Sequence, residues 1–268
     1  MELIAKVSKG SKMDQVYLPK NRAGFGIGTY AVLKPLNTRK AAEKPFFYNI
    51  KAIEPVKIGI VSEIFDIIDS AAGNYENIIV TGSFLDAGFN FNDIDVIVIS
   101  ADKLNDGQIK RCIEDKIKIK MHVISLNNKT LILGLSTDPL YQAMLSRCIA
   151  KKRFVYRIKQ KTDYKILDLH LLKSKILIDN FDYLDGNEKY YHIRNMVAIS
   201  LYLQHKKIDK EKIDEEIKKV FNLQDIKEIK HNMLDKGAFI EKYEKIYKDT
   251  FNSIMENVEH GAKQKKAG

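Results

Sequence analysis

The chain has 268 residues, with 45 Lys plus Arg against 35 Asp plus Glu and a net charge of +10. Its 45% hydrophobic content supplies a folded core, and only two cysteines exclude a disulfide-built scaffold. No stretch approaches the ~18 apolar residues a bilayer span needs, and residues 1–15 lack the apolar run of a signal peptide, so the expectation is a cytoplasmic protein with no membrane partner.

The charge is segmented. Residues 1–50 carry a net +6, residues 51–150 a net −3, and the remainder +7. Basic ends around a slightly acidic middle suit polyanion contact at the ends and cation binding at the centre.

In chain order, the first 48 residues alternate like strands, at Leu3, Ala5 and Val7, at Val16-Tyr17-Leu18, and over residues 30–33. Turn chemistry separates them at Gly10-Ser11, at Pro19-Lys20-Asn21 and at Gly24, Gly26 and Gly28, and residues 35–45 read as a polar, basic linker. Ile58, Val61, Ile64, Phe65 and Ile68 recur at helical spacing and predict a helix over 58–72. Short buried strands follow at 78–80 and 94–99, then a helix over 103–116 and a strand over 117–126. From Pro139 onward the pattern is helical, at 144–149, 166–184, 191–204, 210–221 and 226–258. Asp163 and Asp209 are the expected N-caps, with Gly186 and Gly237 as interruptions.

The stretch that carries chemistry is 78–100, IIVTGSFLDAGFNFNDIDVIVIS. A strand ends in Gly82-Ser83, nine residues intervene, and Asp93-Ile94-Asp95 opens the next strand. Period two puts both aspartates on one face. Two adjacent carboxylates stay ionised cheaply only when a cation shares them, and hard oxygen ligands suit Mg²⁺ or Mn²⁺ bound together with phosphates. Gly82 allows close backbone approach to a phosphate and Ser83 adds a hydroxyl donor. A Gly-Ser turn or an Asp-x-Asp strand edge alone is common on protein surfaces; their order and spacing together are not.

Residues 55–130 resemble the nucleotidyltransferase superfamily, the DNA polymerase beta-like fold, in this Gly-Ser and Asp-x-Asp arrangement. The resemblance implies that Asp93 and Asp95 hold divalent ions and that Gly82 and Ser83 grip a nucleoside triphosphate. An acceptor hydroxyl then attacks the α-phosphorus, and pyrophosphate leaves. Active members usually add a third carboxylate on the next strand, where this chain has Lys120 and His122. His122 offers a metal ligand or a base, or else packs as an ordinary strand histidine; Lys120 repels a second metal unless it contacts phosphate. Asp86 stands where many small members carry Arg, and Glu63, Asp86, Glu114 and Glu188 are the acids that could complete a cage from elsewhere.

Residues 4–36, IAKVSKGSKMDQVYLPKNRAGFGIGTYAVLKPL, resemble the AbrB-type swapped-hairpin family, with Leu18-Pro19-Lys20 and Arg22 in place of its Pro-Lys-plus-Arg segment. That resemblance implies a homodimer through this module and DNA contact by Lys9, Lys12, Lys20 and Arg22; RNA contact or a merely solubilising role are the alternatives. Further along, Arg147, Lys151, Lys152 and Arg153 form a basic cluster that fits triphosphate, nucleic acid or a solvated helix end. Tyr190, Tyr191 and His192 either stack a base or pack.

The expected architecture is α+β. A small β-hairpin module spans 1–48, a mixed-sheet nucleotidyltransferase core 49–138, a mostly helical C-terminal region 139–260 and a flexible tail 261–268. The leading function is metal-dependent transfer of a nucleoside monophosphate. The alternative is a non-catalytic nucleic-acid-binding regulator that retains the fold.

Overall fold

The computed structural model of the chain describes residues 7–18, 20, 24, 26–28 and 44–266. The chain divides between Ala42 and Glu43 into two compact units. In the first, β1 (Val7–Ser8) and β2 (Gln15–Val16) pair antiparallel with Val7 opposite Val16. Lys9, Lys12 and Lys20 are exposed; Arg22 and the strand expected over 30–33 lie outside the described residues.

The second unit is α+β, built on a five-stranded mixed sheet. Its strands are β3 (Phe46–Tyr48), β4 (Asn77–Thr81), β5 (Ile94–Ile99), β6 (Met121–Leu126) and β7 (Cys148–Ala150), in the spatial order β3-β7-β4-β5-β6. Only β5 and β6 run parallel, because a helix returns the chain between them, whereas the other neighbours are antiparallel. Both faces of the sheet are covered, so the middle of β4 (Ile78, Ile79, Val80) and most of β5 (Val96 to Ile99) read as continuous apolar runs. On one face, Ile78, Val80, Ile94, Val96 and Val98 pack against α1 (Pro55–Ala71) and α2 (Asp106–Ile117) through Val61, Ile64, Ile68, Ile109 and Ile113. On the other, Ile79, Ile97 and Ile99 meet Leu131 and Leu135 of α3 (Asn128–Thr137) and Leu145 of α4 (Pro139–Leu145). Thr81 and Asp95 fall on this second face by alternation, at the end of the sheet where its apolar lining stops.

The remaining elements, α5 (Tyr164–Ser174), α6 (Ile176–Asp179), α7 (Gly186–Leu203), α8 (Lys210–Phe221), α9 (Lys227–Lys230) and α10 (Lys236–Lys266), share a separate apolar core around α7. The buried Tyr202 ties this core back to α3: its hydroxyl lies 2.9 Å from the Ser136 carbonyl and 2.7 Å from that of Lys161. Asp163 and Asp209 cap α5 and α8 as expected, each accepting from backbone N–H groups of the first turn.

Several expectations are corrected. The helix predicted over 144–149 is instead the end of α4 followed by β7, which inserts between β3 and β4. Phe46–Tyr48, read with the N-terminal segment, is an edge strand of this sheet. The strand predicted over 117–126 begins at Met121, because α2 runs through Ile117 and Lys118 ends it at φ 61°. Gly186 opens α7 rather than interrupting a helix: Asp185 and Glu188 form a capping box around it. The long helix expected over 226–258 breaks where Asn232 adopts φ 61°, and Gly237 lies inside the first turn of α10.

Candidate functional site

The site begins with a backbone requirement. β4 ends at Gly82, whose φ of 87° and ψ of −166° are open essentially to glycine alone. A Cβ there would lie 2.2 Å from Asp95 Oδ2, so glycine is needed for the chain to pass the carboxylate as well as to turn. Ser83 follows, exposed, at the head of a single 3₁₀ turn (Ser83–Leu85) anchored by the buried Phe84 and Leu85. The antiparallel register sets Thr81 opposite Asp95, which brings the Gly82-Ser83 turn beside the second aspartate. Asp93 and Asp95 line one cleft of about 570 Å³ together with Gly82, Ser83 and His122.

The parallel register sets His122 opposite Asp95, with its Nδ1 3.2 Å from Asp95 Oδ1. Burial raises the Asp95 pKa above the ordinary carboxylate value; the hydrogen bond from His122 opposes the rise and the charge of Asp93 adds to it. Lys120 is exposed and does not line the cleft, so it does not neutralise the pair. The acids considered as a third ligand are used elsewhere. Glu63 pairs with Lys116, Glu114 accepts from the Met121 amide, and Glu188 closes the α7 capping box. Asp86 does line the cleft, but it faces cations. Among the described residues, no group of three or more His, Cys, Asp or Glu has the arrangement of a closed metal cage. The donors that fit a hard cation are the Asp93 and Asp95 carboxylates, which leaves the remaining positions to a ligand's own oxygens and water.

The same cleft has a group of cations in its lining, which come from four separate places. Arg147 lies between α4 and β7, Arg194 on α7, Lys210 at the start of α8 and Lys230 at the end of α9. The Thr81 hydroxyl, 2.6 Å from the Met144 carbonyl and 3.1 Å from that of Arg147, holds the Arg147 backbone to β4. Gly186 sets Lys230: a Cβ at 186 would lie 2.1 Å from the Lys230 carbonyl, so only glycine lets α7 start against the end of α9. Lys230 also sits over the Tyr190 ring at 4.8 Å, and the Tyr190 hydroxyl donates to Asp214 at 2.6 Å. Burial keeps that phenol protonated. Tyr190 is therefore a packing and orienting residue, while Tyr191 is half exposed on the cleft wall with Arg194 over its ring.

Asp86 reaches into this group from the end of the 3₁₀ turn. It pairs with Arg147 and lies 3.1 Å from Lys210 and 3.9 Å from Lys230. Burial works against its charge, but Lys210 and Arg147 hold its pKa below the ordinary value. The loop is fixed from below by the fully buried Lys57, which donates to the carbonyls of Asp86 (2.6 Å) and Gly88 (2.5 Å) and pairs with Glu54 at 3.0 Å.

Of the expected basic cluster, only Arg147 lines the cleft. Lys151 pairs with Asp69 and bonds to Tyr75, and Lys152 lies over the same ring. Sequence reasoning missed Lys210 and Lys230 as site residues and gave Arg194 no role here. Three successive helices, far along the chain from the Gly82–Asp95 motif, supply them, and no local motif marks them. Compared with protein-family models, curated proteins and solved structures, the chain matches none.

Proposed function

We propose that the cleft binds a nucleoside triphosphate with a divalent cation and transfers its nucleoside monophosphate to an acceptor hydroxyl, as a nucleotidyltransferase of the polymerase-beta-like class. The observation that carries this reading is the joining of Gly82-Ser83, Asp93/Asp95 and four cationic side chains in the lining of a single cleft. Acids suited to a cation and cations suited to phosphate, lining one cleft, match the charges of a metal-bound triphosphate.

In this reading Asp93 and Asp95 would hold Mg²⁺ or Mn²⁺, and the chemistry the ion would supply is neutralisation of phosphate charge. Ser83 orients a phosphate at the Gly82 turn, and Arg147, Arg194, Lys210 and Lys230 balance the rest. His122 stands at the register position beside Asp95. With its Nδ1–H donated to Asp95, its Nε2 keeps a lone pair and takes the proton of the acceptor hydroxyl as that oxygen bonds to the α-phosphorus. The bond from the α-phosphorus to its bridging oxygen breaks, and pyrophosphate carries that electron pair away.

A second reading rests on one observation, the lack of a three-donor acidic group among the described residues. It is a regulator that binds nucleotide or nucleic acid without transferring anything. The two separate on incubation with labelled nucleoside triphosphates, Mg²⁺ or Mn²⁺, and RNA, DNA or protein acceptors. Label transfer abolished by Asp93→Asn with Asp95→Asn supports the enzyme, and metal-dependent binding without transfer supports the regulator. The exposed Lys9, Lys12 and Lys20 support polynucleotide contact by the N-terminal unit, and with it the dimer, a proposal refuted if deletion of residues 1–42, which spares β3, leaves polynucleotide affinity and oligomeric state unchanged.

A further inference from the structure

Asp86 is a cleft carboxylate that touches three cations at once. These cations outnumber the acids they touch: Arg147, Lys210 and Lys230 share Asp86, and Lys210 also lies 3.5 Å from Asp214, which already accepts from Tyr190. The Arg194 Nε is buried with no hydrogen-bond acceptor among the described residues, although the guanidinium is near enough to Asp95 and Lys230 to influence both. A half-buried group of cations with an unfilled donor calls for an anion richer in oxygens than one carboxylate. Asp86 also lies three residues beyond Ser83, just past the 3₁₀ turn, and lines the same cleft as the serine.

We propose that Asp86 is an internal counter-anion that occupies a polyphosphate subsite, holding Arg147, Lys210 and Lys230 together until a ligand's phosphates replace it. The proposal deepens the nucleotide reading and rests on it for the identity of the physiological ligand. The cations stay gathered in the empty protein at the cost of competition: incoming phosphate must displace the carboxylate and then lie beside it. Its backbone, fixed by Lys57, confines the change to the side chain.

The test is calorimetric titration of the full chain with inorganic tripolyphosphate, which carries neither a base nor a transferable nucleoside. Asp86→Asn removes the competing charge while keeping the shape, and the expected result is binding at least about tenfold tighter than wild type, the lower bound set by one solvent-screened charge–charge interaction. Lys210→Met with Lys230→Met is expected to weaken binding by at least about tenfold on the same grounds. The proposal is overturned if folded Asp86→Asn binds tripolyphosphate no tighter than wild type. If Asp86→Asn does not fold, the lysine pair decides: unchanged affinity overturns the proposal and lost affinity supports it. Tighter tripolyphosphate binding without nucleotide transfer sinks the enzyme reading alone. Nucleotide transfer with unchanged tripolyphosphate binding in Asp86→Asn sinks this inference alone.

Discussion

Replacing Gly82 by alanine perturbs the site at its tightest point, and two separable costs follow. The first is conformational: a φ of 87° with ψ of −166° is a glycine region, and forcing alanine into it costs about 2 kcal/mol. The second is steric: the new Cβ would lie 2.2 Å from Asp95 Oδ2 and 3.1 Å from its Cγ. That carboxylate is backed by His122 and held on a central strand, so it must turn aside, at an overpacking cost of about 1–2 kcal/mol. Gly88 is the internal control, with a φ of 79° but no atom within 4 Å of the place a methyl group would take. Urea denaturation followed by circular dichroism should therefore show Gly82→Ala about 3 kcal/mol less stable than wild type and Gly88→Ala only about 1–2 kcal/mol less stable. In the double variant Gly82→Ala with Asp95→Ala the obstruction is gone, so its loss should fall short of the sum of the single losses by about 1–2 kcal/mol. Equal costs at the two glycines, or strict additivity with Asp95→Ala, would refute the close-contact argument.

Asp95→Asn provides a test of sign. Because burial raises the native pKa of Asp95, the folded state binds its proton more tightly than the unfolded chain does, and this carboxylate weakens the fold progressively as pH rises from the unfolded value through the native one. The metal-free variant should be more stable than wild type near neutral pH, with the gain gone below about pH 4. Lys57→Met leaves two loop carbonyls without their donor and takes from Glu54 its ion-pair partner, and should cost about 3 kcal/mol and loosen the Ser83–Asp86 turn, read as faster amide exchange there. The Cys148 thiol is pushed up to about 12 by burial while Cys112 is exposed, so a thiol reagent should titrate a single thiol in the native protein and both after unfolding.

How much of this was legible in the sequence depends on how local each signal was. α1, β5 and α8 carry enough repeats of one period to be read directly, and their neighbours supply the caps: Asp209 at α8, Asp163 at α5. β3 and β7 are three residues each, too short to display a period of two, and they exist through pairing across about a hundred positions of chain. Cys148-Ile149-Ala150 is wholly buried and so looks like a continuation of the apolar helix before it. The acidic half of the site lies within 14 residues and was visible as a motif, from Gly82 to Asp95. The cationic half is assembled by tertiary packing from residues 147, 194, 210 and 230, where each charge alone resembles an ordinary surface lysine or arginine. The opposite role of Asp86, an acid facing cations rather than a metal, follows only from that assembly.

The central claim is that Asp93 and Asp95 bring a metal-bound triphosphate into this cleft. Titrating labelled nucleoside triphosphate into wild type and into Asp93→Asn with Asp95→Asn, with and without Mg²⁺, tests it most directly. The expected result is saturable binding that strengthens with Mg²⁺ in wild type and loses that Mg²⁺ dependence in the variant. Binding absent from wild type, or equally Mg²⁺-dependent in both proteins, would contradict it.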